Sequence, residues 1–137
     1  MKDEAFKLGR CYELSGNHVL FIDRAATLVH GIIHGQGQIA GFVFGHAWVE
    51  KDGLVLNPFG DDLINMTLDD FNARAVIDRT LTVSYDFEQA REQVLKWQHW
   101  GPWNPALFGI SLLPASVLHE KDFLKTLRDA IAEGGQG

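Results

Sequence analysis

Three successive runs of residues with high β-strand propensity lie in the first half of the chain, and turn-forming segments separate them. The first run covers residues 27–34 and the second covers residues 39–50, with a glycine-containing connection between them. Asp52-Gly53 is a pair typical of a two-residue hairpin turn, and residues 54–57 form the third run. This order predicts three antiparallel strands in a meander.

Helices are predicted on both sides of this meander. Residues 11–22 fit a short helix that begins at Cys11 and has Leu14 and Phe21 on one side. Further along the chain, we predict helices at about residues 67–78, 86–97 and 117–132, and a fourth strand at residues 80–85. The order of helix, strands and helices implies an α+β layered fold with an antiparallel sheet.

A single domain, residues 1–137, fits this length, because two hydrophobic cores would leave each part near the lower size limit for independent folding. Within it, residues 9–60 are expected to carry the candidate site and residues 67–132 to form a helical C-terminal part. The net charge of -6, without any basic run, argues against a nucleic-acid partner. Residues 1–6 lack the apolar stretch of a signal peptide, and no segment approaches the ~20 apolar residues of a membrane span. We therefore expect a cytoplasmic protein that binds neither nucleic acid nor a membrane.

The single cysteine, Cys11, cannot form an internal disulfide, so it is an inert core thiol, a surface thiol or a nucleophile. At the predicted start of a helix, unpaired backbone N–H groups and the helix dipole would lower its pKa. The same N–H groups would stabilise an oxyanion. A lone cysteine is more often a small buried apolar residue, so Cys11 by itself leaves the choice open.

A histidine and an amide lie on neighbouring predicted strands. The period of two in the second strand places His46 on the same face as Phe44 and Trp48. A two-residue turn would make Asn57 the diagonal neighbour of His46, a four-residue turn would place the two directly opposite, and a three-residue turn would move Asn57 to the other face. Cysteine hydrolysis requires a thiol, an imidazole base and an acceptor that orients the imidazole. Cys11, His46 and Asn57 are the candidates for these three roles.

These residues resemble the papain-like cysteine hydrolase superfamily, in its transglutaminase-like and NlpC-like branches. The similarity covers roughly residues 9–60: a cysteine at a helix start, a strand reading Gly-His-Ala-Trp-Val-Glu, and a strand that ends in an amide before Pro58. The resemblance implies a papain-like core in which the helix bearing Cys11 packs on the sheet. It also implies that Cys11 is the nucleophile, His46 the general base and Asn57 the orienting residue.

The whole chain is similar to small proteins of bacteria and their phages that share this Gly-His-Ala-Trp-Val-Glu motif, which implies the cytoplasm of a bacterium or of an infected host. The resemblance implies a hydrolase of amide or isopeptide bonds, such as a peptidase, amidase or deamidase. A transglutaminase or acyltransferase with the same triad and a non-catalytic binding protein on the same scaffold are the alternatives. We expect a protein, peptide or other amide substrate and no cofactor. Candidate substrate-binding residues are Tyr12, Trp48 and His30.

Two other groups of residues have more than one interpretation. His30 and His34 are four apart, which fits zinc ligands on a helix, but the residues between them favour a strand and no third ligand pattern follows. We therefore expect no metal site. The aromatic residues between Trp97 and Trp103 either pack in the core and hold the C-terminal part in place or form the wall of a substrate groove.

Overall fold

Four α-helices and six β-strands form in the part of the chain that the computed structural model describes, which is residues 4–56, 65–108, 110 and 112–134. The helices are α1 (Glu4–Asn17), α2 (Leu68–Ala75), α3 (Phe87–Trp97) and α4 (Lys121–Gly134). The strands are β1 (Thr27–His34), β2 (Phe42–Lys51), β3 (Leu54–Leu56), β4 (Asn65–Thr67), β5 (Val83–Tyr85) and β6 (Leu113–Pro114). The α+β class and the antiparallel sheet are confirmed.

The sheet has the strand order β4-β3-β2-β1-β5, and β6 pairs with β2 outside this path. The predicted meander of β1, β2 and β3 is confirmed, with both pairs antiparallel. Lys51 pairs with Leu54 across a two-residue turn, in which Asp52 and Gly53 have φ angles of 54° and 79°. Positive φ at both central residues is the requirement of the tight turn that matches strand twist.

The first helix differs from the prediction. It begins at Glu4, so Cys11 lies about two turns inside α1 and not at its start. A wider π-helical stretch prolongs it from His18 to Ile22, and the chain becomes extended at Asp23. The predicted end of the helix is therefore confirmed and its predicted start is wrong.

Most other elements lie close to where short-range sequence patterns predicted them. β1 has the predicted bounds, and α3 follows a capping box in which Asp86 and Gln89 each accept a backbone N–H from the other. Thr67 caps α2, which ends earlier than predicted because Val76 adopts a left-handed conformation. β2, β5 and α4 begin later than predicted, because short 3-10 turns precede them at Gly37–Ile39, Arg79–Leu81 and Ala115–His119.

The two faces of the sheet bury two separate apolar cores. One face, called here the α2 face, has side chains of β1, β2 and β3 packed on Phe71 and Ala75 of α2. The opposite face, called here the α4 face, packs against α3 and α4, with Leu127 and Ile131 among its buried residues. Alternation along β2 assigns its successive side chains to opposite faces. No helix in the described ranges is long and apolar enough to cross a membrane.

Candidate functional site

Cys11 reaches the edge of β2 between the residues that pair with β3 and those that pair with β6. On this edge β3 pairs with residues 49–51 and β6 with residues 42–43, so the stretch between them is left for other contacts. Gly45 donates its backbone N–H to the carbonyl of Ile110, and the backbone N–H of Ala47 is directed at the Cys11 sulfur. The thiol therefore contacts the strand position directly after His46.

Burial determines the ionisation of this thiol. Cys11 is 2% exposed, and desolvation raises its pKa to about 11, against the opposing effect of the Ala47 N–H and the N–H groups of Tyr12 and Cys11. The expected lowering of the pKa by a helix start is wrong, because Cys11 lies inside α1 and away from water. At pH 7 the side chain is a neutral thiol.

His46 is fully buried and lies on the α2 face between two aromatic rings. Its imidazole meets the ring of Phe44 edge-on, with centroids 6.1 Å apart, and stacks on the indole of Trp48 at 6.2 Å with an interplanar angle of 24°. The prediction that these three side chains share one face is confirmed. Gly31 of β1 is the cross-strand partner of His46.

Asn57, the predicted orienting residue, lies outside the described residues. The described part of β3 ends at Leu56, which pairs with Val49. Of the three predicted registers of this hairpin, the one with a two-residue turn is confirmed. The role of Asn57 stays a prediction.

The three predicted substrate-binding residues are divided between the two faces of the sheet. Tyr12 meets His30 edge-on, with ring centroids 4.9 Å apart, and His30 also contacts the rings of Tyr85 and Trp103 on the α4 face. Trp48 lies on the α2 face with His46. His30 and Trp48 are both fully buried, so a substrate would reach either of them only after the surrounding side chains moved.

Aromatic rings enclose His30. Neither of its ring nitrogens has a hydrogen-bond partner among the described residues. Desolvation lowers the pKa of His30 to about 3, and the electrostatic interaction with His46 acts in the same direction. His30 is therefore neutral at pH 7. Trp103 is a core residue because its ring is one of those that enclose His30. Within the 97–103 cluster, Trp97 is by contrast 48% exposed.

The sequence did not indicate the charged pair beside Trp48, in which Glu50 binds the indole and Arg79 binds Glu50. Glu50 accepts a hydrogen bond from the indole Nε1 of Trp48 at 2.8 Å, and Arg79 Nη2 lies 2.7 Å from the same carboxylate oxygen. Strand alternation could have indicated Glu50, which shares a face with His46 and Trp48. Arg79 is distant in sequence, and no local pattern marks it.

A cleft of about 190 Å³ lies away from these residues, at the end of β1. His34, Asp78 and His119 line it together with apolar residues, and Cys11 and His46 are not among its lining residues. Within the described ranges, no three His, Cys, Asp or Glu side chains are grouped as metal ligands.

No protein-family model, curated protein or solved structure matches this chain. The resemblance to papain-like hydrolases therefore stays a prediction from the sequence motif.

Proposed function

We propose that this protein is a cysteine-dependent hydrolase of amide or isopeptide bonds, with Cys11 as nucleophile, His46 as general base and Asn57 as the residue that orients His46. The observation that carries the proposal is the contact between the Cys11 sulfur and the backbone N–H of Ala47. This contact supports the proposal because it joins the candidate nucleophile to the strand position next to the candidate base. The Gly-His-Ala-Trp-Val-Glu motif around that position adds to the support.

The neutral state of Cys11 indicates the form of the first step. The sulfur attacks the amide carbonyl while its proton passes to the imidazole of His46, so that a carbon–sulfur bond forms without a pre-existing thiolate. As the tetrahedral adduct collapses, the carbon–nitrogen bond breaks and His46 returns the proton to the leaving amine. Water then attacks the thioester with His46 as base, and the acid is released with the thiol restored.

The proposal is tested by incubating the full chain with a fluorogenic amide library and with p-nitrophenyl acetate. We expect an acyl adduct on Cys11 by mass spectrometry. The Cys11→Ala and His46→Gln substitutions should lower turnover by about a hundredfold or more, because each removes a group that forms or transfers a bond in every cycle. His119→Gln, an exposed histidine outside the site, is the matched control and should leave turnover unchanged.

The proposal is overturned if Cys11→Ala retains wild-type turnover, or if no substrate acylates Cys11 in a folded protein. An added amine, such as a lysine analogue, separates hydrolysis from acyl transfer, since an amide product in its presence identifies a transglutaminase or acyltransferase.

The burial of Cys11 favours a second candidate, a binding protein without catalytic activity on the same scaffold. A thiol that is 2% exposed, with its pKa raised to about 11, has the environment of an inert core cysteine. In that case no acyl adduct forms, and Cys11→Ala changes only the free energy of unfolding. The same acylation experiment therefore distinguishes the two functions.

A further inference from the structure

The imidazole of His46 has an aromatic neighbour whose own orientation is tightly constrained. Trp48 is fully buried, and its indole stacks on His46 and packs against the ring of Phe71, with centroids 4.9 Å apart. Two flat rings in offset contact restrict each other's rotation about the side-chain bonds. The plane of the Trp48 ring therefore limits the planes that His46 can adopt.

A charged pair at the end of β2 holds the indole in place. The N–H of Trp48 donates to Glu50, whose side chain is 18% exposed, and Arg79 binds the same oxygen from the loop before β5. A hydrogen bond to a carboxylate is stronger than one between neutral groups. Rotation of the indole away from His46 would break this bond and leave a buried N–H without an acceptor.

The facing strand leaves space for this arrangement. Gly31 lies across from His46, and a Cβ atom there would be 2.9 Å from Cη2 of Trp48 and 2.8 Å from the methyl group of Thr82. The indole thus lies over Gly31, the one position of β1 without a side chain. The packing against Phe71, the hydrogen bond to Glu50 and the space over Gly31 together fix the position of the indole.

We infer that Trp48 and Glu50 are positioning residues for His46: Glu50, bound by Arg79, fixes the indole, and the indole fixes the plane of the imidazole. This inference rests on the proposed function for its catalytic consequence. Trp48 then acts through His46 and is not a substrate contact. In the motif, Trp48 lies two residues after His46, and Glu50 lies two residues after Trp48. Strand alternation therefore places the three side chains on one face.

The test uses the full chain and compares Glu50→Ala with Glu50→Gln. The glutamine keeps an oxygen that accepts the indole N–H, whereas alanine removes the acceptor. We expect the imidazole signals of His46 in two-dimensional NMR to shift in Glu50→Ala, and kcat to fall about tenfold with KM unchanged. Glu50→Gln should restore both readouts to within about threefold of wild type. Asp129→Asn is the matched control, because it breaks a different ion pair, with Lys125 at 2.8 Å on α4.

Unchanged His46 signals in Glu50→Ala would overturn the inference, as would a loss of kcat that Glu50→Gln does not rescue. Trp48→Phe, which keeps a stacking ring but lacks the N–H, should resemble Glu50→Ala in its NMR signals. A wild-type protein whose Cys11 is never acylated would overturn the proposed function and the catalytic part of the inference, while the NMR signals still report separately on whether Glu50 orients His46.

Discussion

Cys11 and His30 are ionisable side chains that the fold keeps neutral at pH 7. Desolvation penalises the charged form of each, so the pKa of the thiol rises to about 11 and the pKa of the imidazole falls to about 3. The two residues lie on or next to α1 and share Tyr12 as a neighbour, which follows Cys11 and contacts His30. A reaction at Cys11 would start from an uncharged group, and this makes the transfer of its proton part of the chemical step.

Alkylation of Cys11 should therefore depend steeply on pH. Between pH 7 and pH 10 we expect the rate with iodoacetamide to rise about tenfold per pH unit, because the thiolate is the reactive form and its fraction grows in that proportion below the pKa. Mass spectrometry of samples quenched at set times measures this rate. In denaturant, the exposed thiol should react faster and its rate should level off near its ordinary pKa. A native rate that levels off below pH 8 would contradict the raised pKa.

At the scale of elements, β1 and β2 form the long hairpin on which the candidate base is held. Their pairing runs from Thr27 with Glu50 to His34 with Val43 without interruption. The strands therefore present His46 on one face and His30 on the other, because neighbouring positions alternate. Whatever disturbs the packing of this hairpin on the α2 face should affect His46 and the global stability together.

Gly31→Ala tests this packing directly. The added methyl group has no space between Trp48 and Thr82, so we expect the free energy of unfolding to fall by about 1–3 kcal/mol. Urea denaturation followed by tryptophan fluorescence measures the change. Thr82→Ser removes the closest methyl group, and in the Gly31→Ala background it should recover part of the loss. Wild-type stability in Gly31→Ala would show that the indole moves at little cost.

At the scale of the whole molecule, the sheet separates a core under α2 from a larger core under α3 and α4. His30 lies within the larger core, enclosed by rings from α1, β5 and the segment that precedes α4. Because no polar group of the described residues compensates its burial, protonation of this single imidazole opposes the packing of three parts of the chain. The acid sensitivity of the fold should depend on it.

Stability should fall as the pH drops below 6.5. The unfolded chain binds a proton at His30 near pH 6.5, whereas the folded protein resists protonation until about pH 3, so the unfolded state binds more protons in this window. His30→Leu removes the effect. Between pH 7.5 and pH 5, wild type should lose about 2 kcal/mol relative to this variant, measured by urea denaturation at each pH. Parallel pH profiles for the two proteins would contradict the enclosure of a neutral His30.

Local interactions explain what could be predicted from the sequence. The bounds of β1, the two-residue turn at Asp52-Gly53 and the cap at Asp86 each depend on residues within a few positions of one another. The shared face of Phe44, His46 and Trp48 depends only on the strand period. For the same reason, the sequence alone assigns the candidate base and its aromatic neighbours to one face.

The sequence by itself determined the α+β class, the antiparallel meander and the face on which His46 lies, because propensity, turn chemistry and period act along the chain. Only the tertiary structure decided that Cys11 is buried inside α1 against Ala47, that Arg79 binds Glu50, and that aromatic rings enclose His30. Each of these depends on groups far apart in the chain, and the desolvation that shifts the pKa values of Cys11 and His30 arises only when those groups exclude water together.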